Sequence, residues 1–434
     1  MHHKDIYYGY WLVGAAFFAQ FVAIGMYSYV LGSFMTPMID DLGWTRAEFT
    51  LTRSIGQLVM AGVGVIIGVR VDLFGARPIM LLGTTILVVS LLLHSLVDSL
   101  WAWLLLNGVG LTVGCAMVGN LVVNVTLSKW FVINRGKAIA WAAMGVSFGG
   151  IGLTPLATWL VDVLGWREAW LWLALFAAVF LYPVALVMRR TPEDYGLVPD
   201  GLTPSSRIAA RGGSNARSAG LDLLRAEDAN TYTRAEALRT MTFYGLVVAF
   251  GFFSINIIVM LLQTVPYLSD NGFSRNQAAL ALFVASVPAM LSKPVWGYLI
   301  DRMRVKPLAA GSAAVTGLAL FLIVAAVDSR QLVLVCLAYA VLGLGWGGMI
   351  PMQEVIWARF FGRRHLGAIR GAGMPFALAL GAAAPWAVSR YHDVVGSYHG
   401  ALLVVASLNV LSGLLIFLVP PPASRIAVVQ QGGD

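Results

Sequence analysis

Lys293 lies in the middle of an apolar run, between Pro288 and Pro294 in ASVPAMLSKPVWGYLIDRMRVKP, Ala285–Pro307. An amine in hydrocarbon is costly, so its helix must turn it toward a partner or a water-filled cavity. Each proline removes a backbone N–H and bends the helix, which hydrocarbon tolerates only where protein or water satisfies the freed groups. Lys293 is seven residues from the nearer helix end, about 10 Å along a helix. A long side chain can snorkel from that depth, but two flanking prolines favour a built site for an anion. An amine can also give up its proton, which an always-charged guanidinium cannot.

Few other side chains in the apolar runs could do chemistry. Glu354, beside Gln353, is placed to carry a proton or to pair with a loop arginine as a gate. Arg53 and Gln57 share a helix face at i, i+4, near a span end, where an interfacial or gating role fits best. Asn120 and Asn124 repeat that spacing; Asn256 and Gln263 are seven apart with Tyr267 a turn further, and Gln20 and Tyr27 are also seven apart. These amides and phenols either bind substrate or bond between helices, the latter worth only about 0.6 kcal/mol each. His94, His392 and His399, near span ends, read as polar surface. Gly343-x-Gly345-x-Gly347 lies inside an apolar run and fits close helix packing, not a phosphate loop. No spacing matches a hydrolase or metal site, and Cys115 and Cys336 both lie in apolar runs. The expectation is a protein that is not an enzyme, with no catalytic residues, metal or cofactor.

The elements that must position these residues are membrane helices. The chain has 434 residues, 59% hydrophobic and 12% charged, about half the charge of a soluble domain. Twelve apolar spans, from Trp11–Phe34 to Gly400–Val419, are each long enough to cross a bilayer. The first is too long for a signal-peptide core and reads as a retained helix. The +8 net charge is a topology signal and not a nucleic-acid footprint: 22 Lys/Arg fall on the face that holds both termini and five on the other. Both termini are therefore expected in the cytoplasm. The polar stretch Arg189–Thr240 reads as a flexible connector.

The chain also repeats itself. Gly68-x3-Asp72-x4-Arg77-Pro78 recurs as Gly297-x3-Asp301-x4-Lys306-Pro307, every position shifted by 229. Gly43-Trp44-Thr45-Arg46 matches Gly272-Phe273-Ser274-Arg275 at the same offset, Trp130-Phe131 matches Phe360-Phe361 at 230, and Gly165 matches Gly396 at 231. The expected fold is all-α: twelve transmembrane helices in two pseudo-symmetric six-helix bundles, 1–188 and 241–434, joined by the cytoplasmic loop 189–240. Two such repeats place a substrate site between them near the midplane.

These features resemble the major facilitator superfamily over nearly the whole chain. Gly68-x3-Asp72-Leu73-Phe74-Gly75-Ala76-Arg77 is similar to its hallmark loop, with Leu73 and Ala76 at usually basic positions. Within the superfamily the chain looks most like the monocarboxylate porters and their oxalate/formate relatives. Trp130-Phe131-x3-Arg135-x2-Ala138-x3-Ala142-x2-Gly145 fits that branch after its fourth helix, and Thr191–Asp200 is similar to the start of its central loop in bacteria. Lys293-Pro294-x2-Gly297 falls where the branch has Arg-Pro-x2-Gly, the arginine holding the substrate carboxylate. The branch's acidic partner is Ala289 here, and the first helix lacks a proton-linked lysine.

The resemblance implies a secondary transporter of a small organic monoanion, a monocarboxylate, by proton symport with alternating access. Anion exchange of the oxalate/formate type, proton-driven drug efflux through Glu354 and a non-transporting membrane sensor are the alternatives. Substrate contacts are expected from Lys293, Asn120, Asn124, Tyr27, Asn256 and Gln263, and proton coupling from Lys293 or Glu354. Gating is expected from Gly68, Asp72, Arg77, Arg135, Arg53, Gly297, Asp301, Arg302 and Lys306. The expected partners are the anion, a proton and the bilayer, with no nucleic acid; the protein is expected as a monomer in a bacterial inner membrane.

Overall fold

The computed structural model describes residues 7–201 and 231–422. Most of the connector, residues 202–230, lies outside the described residues. Among the described residues, twelve helices are long and apolar enough to cross a membrane. They are α1 (Gly9–Leu42), α2 (Arg46–Phe74), α3 (Ala76–His94), α4 (Leu100–Trp130), α5 (Arg135–Leu164) and α6 (Trp166–Val187), then α7 (Met241–Asp270), α8 (Arg275–Arg302), α9 (Val305–Asp328), α10 (Leu332–Phe361), α11 (Leu366–Val395) and α12 (His399–Leu418). This is a multi-pass membrane protein.

The sequence repeat has a local physical basis. Thr45 accepts the Glu48 N–H at 3.2 Å while Glu48 accepts the Thr45 N–H at 2.8 Å, a reciprocal cap at the start of α2. Ser274 and Gln277 form the same box at the start of α8, at 3.3 and 2.8 Å. Just before each box, Gly43 and Gly272 take φ of 69° and 89°, a left-handed backbone that stops the preceding helix at little steric cost.

Contacts divide the chain into two compact units. One holds the chain up to Arg234 together with Trp357–Pro375; the other holds Ala235–Ile356 together with the chain from Phe376 to Ala423. The ends of α10 and α11 nearest the loop between them thus belong to the first unit.

Within the first unit α1 and α4 are the most buried spans. Neither is a regular α-helix: α1 contains a π turn at Gly25–Tyr29, and α4 a π segment at Leu104–Leu111 and a break at Gly119. Apolar lipid gives helices no hydrophobic reason to associate, so small residues must bring backbones together. Gly145 and Gly149 of α5 do so, packed against the Phe17 and Phe21 carbonyls of α1. In the second unit Gly343 of α10 packs on the Ala285 carbonyl of α8, Gly347 on Ala289 and Ser292, and Gly345 on Thr316 of α9.

The start of the connector is more than a linker. Asp200, at φ 60°, accepts the N–H groups of Val132, Ile133 and Asn134 at 2.8–3.0 Å, which anchors this stretch to the start of α5. Tyr7 packs on Trp130 and Phe131 and donates to the Trp130 carbonyl at 3.0 Å. Burial, and next the charge of Asp200, hold its phenol well above its ordinary pKa.

Candidate functional site

Lys293 is buried in α8, 4% exposed, inside a continuous helix that carries both Pro288 and Pro294. The adjacent turns are fixed on α10: the Trp296 indole donates to the Leu344 carbonyl at 2.7 Å and Ser292 reaches it at 3.5 Å. Small-residue packing of α8 on α10 therefore helps to fix where the lysine sits.

The same unit holds a column of polar groups on α7. Asn256 is fully buried; its Oδ1 accepts from the Trp346 indole at 3.0 Å, and its Nδ2 has no partner among the described residues. Gln263 donates to Ser389 at 2.8 Å, and Thr264 accepts from Tyr339 at 3.0 Å. The Tyr267 hydroxyl is buried without a hydrogen-bond partner among the described residues. Glu354 is 3% exposed on α10.

In the first unit Gln20 donates to Asn124 at 3.1 Å, joining α1 to α4. Arg53 donates to the Ser28 carbonyl at 3.0 Å, with its guanidinium 4.8 Å from the Tyr27 ring. Ser28 and Tyr27 belong to the π turn, an irregularity of the kind often found at functional sites.

The charged turn after α2 is the most tightly built part of this unit. Asp72 pairs with Lys129 of α4 at 2.7 Å, both side chains 5% exposed, and its other oxygen accepts the Ala368 N–H at 2.7 Å. That N–H lies in the first turn of α11, where unpaired donors and the helix dipole favour a carboxylate. The dipole facing Asp72 is thus that of α11, 296 residues along the chain, and not that of the neighbouring α3. Close approach makes the bond feasible: a Cβ on Gly68 would strike the Gly367 carbonyl, and one on Gly371 the Gly64 carbonyl. Arg363 completes the cluster, donating to the Lys129 carbonyl at 3.0 Å and to Glu193 at 2.7 Å. Gly68→Val is accordingly expected to separate α2 from the start of α11, raising the alkylation rate of a cysteine placed at Ala368. An unchanged rate would mean the backbone absorbs the methyls.

The two charged turns differ in detail. Arg77 is exposed and makes no ion pair among the described residues. In the second turn Lys306 donates to the Val419 carbonyl at 2.6 Å and Arg302 covers the Tyr298 ring at 4.2 Å. Gly297 is buried, and Asp301 is half-buried at the end of α8. Arg135 is 1% exposed and donates to the Phe131 and Ser128 carbonyls, which ties the α4–α5 turn together.

Two expectations need correcting. His94 is not surface: it is fully buried, bonded to the Ser90 carbonyl and Asn107 and packed against Trp103 and Trp170. Long-range packing of α3 on α4 and α6 hides it, which no local pattern foretells. Lys129, counted in the sequence only as a cytoplasmic loop charge, is a buried ion-pair partner. A signal for it existed: Lys129 and Arg359 are 230 apart, the offset that relates Trp130-Phe131 to Phe360-Phe361, and the same offset pairs Asn124 with Glu354.

The family model described as Major Facilitator Superfamily matches residues 16–265 and 244–432. The oxalate:formate antiporter of Oxalobacter formigenes is 25% identical over 82% of this chain and 78% of its own length. Mouse monocarboxylate transporter 6 is 25% identical over 74% of this chain and 68% of its own. Among solved structures, the proton:xylose symporter XylE superposes with a TM-score of 0.71 at 14% identity, covering 97% of this chain and 99% of XylE. The E. coli fucose:proton symporter FucP gives 0.68 at 14% identity, covering 95% of this chain and 98% of FucP. With its helices, its repeated capped turns and a family match across nearly its full length, this chain belongs to the major facilitator superfamily.

Proposed function

We propose that the protein is a secondary transporter that carries a small organic monoanion, a monocarboxylate, with one proton by alternating access. The observation that carries this reading is Lys293, a cation 4% exposed within an apolar membrane helix that carries two prolines. A lysine at such a site is a functional marker by default, and a carboxylate is the ligand its charge and donors suit. The relatives named for oxalate, formate and monocarboxylates support the same class. Asn256 and Gln263 in one half and Tyr27, Asn120 and Asn124 in the other supply further substrate contacts. Gating falls to Gly68, Asp72, Arg77, Arg135 and Arg53, and to Gly297, Asp301, Arg302 and Lys306. The halves are 1–188 and 241–434, the termini are cytoplasmic, and a monomer in the bacterial inner membrane is the working unit.

The proton resides on Lys293 or on the substrate, with Glu354 as the competing carrier. Reconstituted protein is therefore expected to accumulate its acid under an inward proton gradient and to ignore an imposed membrane potential, since one proton and one monoanion move no net charge. Glu354→Gln should keep that coupling. If the variant exchanges anion but no longer concentrates it, Glu354 carries the proton. Anion exchange is the second reading, favoured by the antiporter relative. Uptake that requires internal anion and is indifferent to pH would establish it, and binding without flux would point to a sensor.

A further inference from the structure

We infer that the break in α4 is a carboxylate-binding site built from backbone donors, a point of anion recognition in the first unit. The inference rests on the organic-anion reading above. At Gly119 the backbone is extended, φ −81° and ψ −157°, and a new helical segment, Asn120–Trp130, begins. No backbone turn bridges Gly119, so the N–H groups of Asn120, Leu121 and Val122 find no carbonyl across the break, and no side chain among the described residues caps them. The first bond after the break is Val123 N–H to the Gly119 carbonyl, at 3.3 Å. The segment has 11 residues, which places its start about 16 Å from the Trp130 end, near the middle of a ~30 Å hydrocarbon core. Three free donors and the positive end of a helix dipole at that depth suit an anion.

A second observation points to a ligand independently. Asn124 is 1% exposed and one turn further on the same face, and helical side chains lean toward the N-terminus of their helix. Its Oδ1 is occupied by Gln20, but its Nδ2 has no partner among the described residues, nor have Gln20 Oε1 and Asn120 Oδ1. Buried amides are ordinarily satisfied, so an unpaired donor beside unpaired N–H groups marks a place for an acceptor. A carboxylate meets the need: one oxygen takes the backbone donors and the other takes the Asn124 amide.

Proline separates backbone from side chain here. It is favoured at a first helical position, and it prefers an extended residue before it, as Gly119 already is. Asn120→Pro therefore keeps the break and removes one N–H, whereas Asn120→Ala removes only the side chain. Formate, acetate, pyruvate, oxalate and benzoate would be titrated calorimetrically into nanodisc-embedded wild type, both Asn120 variants, Asn124→Asp and Lys293→Ala. Thermal unfolding of each apo protein would check folding. Asn120→Pro is expected to bind the recognised acid about tenfold more weakly than Asn120→Ala, a loss of about 1.4 kcal/mol, and Asn124→Asp to bind more weakly still. Equal affinities for the two Asn120 variants, or wild-type affinity in Asn124→Asp, would overturn the site while Lys293-dependent binding left the carrier reading intact. A wild-type protein that bound none of the five acids would overturn both.

Discussion

Lys293→Ala is expected to abolish uptake of the cognate acid and to weaken its binding by two orders of magnitude or more. Removing one member of a buried charge pair costs about 3–5 kcal/mol, and each 1.4 kcal/mol is about tenfold in affinity. The lysine is 4% exposed, so a carboxylate that reached it would be largely out of water. The variant should still insert, because the apolar character of α8 and the packing of Gly343 and Gly347 on it are untouched. Lys293→Arg is the informative companion. It keeps the charge and the donors but cannot release a proton near neutral pH, so it should retain binding better than proton-driven accumulation. Proteoliposome uptake and equilibrium binding, measured side by side, separate the two variants. Near-normal uptake by Lys293→Ala would remove this residue from the site.

Asp72→Asn is expected to lower stability and to shift the population toward the inward-open state. The substitution leaves Lys129 buried without its counter-charge, which by the same reckoning costs about 3–5 kcal/mol. It also weakens the bond to the Ala368 N–H, whose strength depends on a full negative charge at a helix N-terminus. Adding Lys129→Met removes the stranded ammonium, so the double variant should recover part of the loss. That non-additivity is what residues in direct contact show. Thermal unfolding reports the stability term, and labelling of single cysteines from either side of the membrane reports the conformational term. If Asp72→Asn unfolds like the wild type and labels identically, the turn is only a topological marker.

Much of the architecture was legible because it depends on local patterns. A membrane helix announces itself by twenty apolar residues in a row. The repeat could be read at an offset of 229 because capping needs particular residues at particular positions: Gly43-x-Thr45-x2-Glu48 and Gly272-x-Ser274-x2-Gln277 solve one problem of helix starts twice. Lys293 stood out for a related reason, since a charge inside an apolar run is an exception visible without neighbours.

What chemistry each polar group performs depended on partners far away in the chain. Whether Lys129 was a solvated loop charge or a buried ion pair turned on Asp72, 57 residues earlier, and on the first turn of α11. His94 reads like any polar residue at a helix end until Trp103 and Trp170 close over it. The break at Gly119 had only a faint signature, a glycine before an asparagine in an apolar run that otherwise promised unbroken helix. Sequence by itself determined how many helices cross the membrane, where they start and which buried cation is exceptional, since hydropathy and capping act within a few residues. Tertiary structure alone decided which charges meet, which backbone donors stay free and which histidine is hidden, because those outcomes require surfaces from separate helices to exclude lipid and water together.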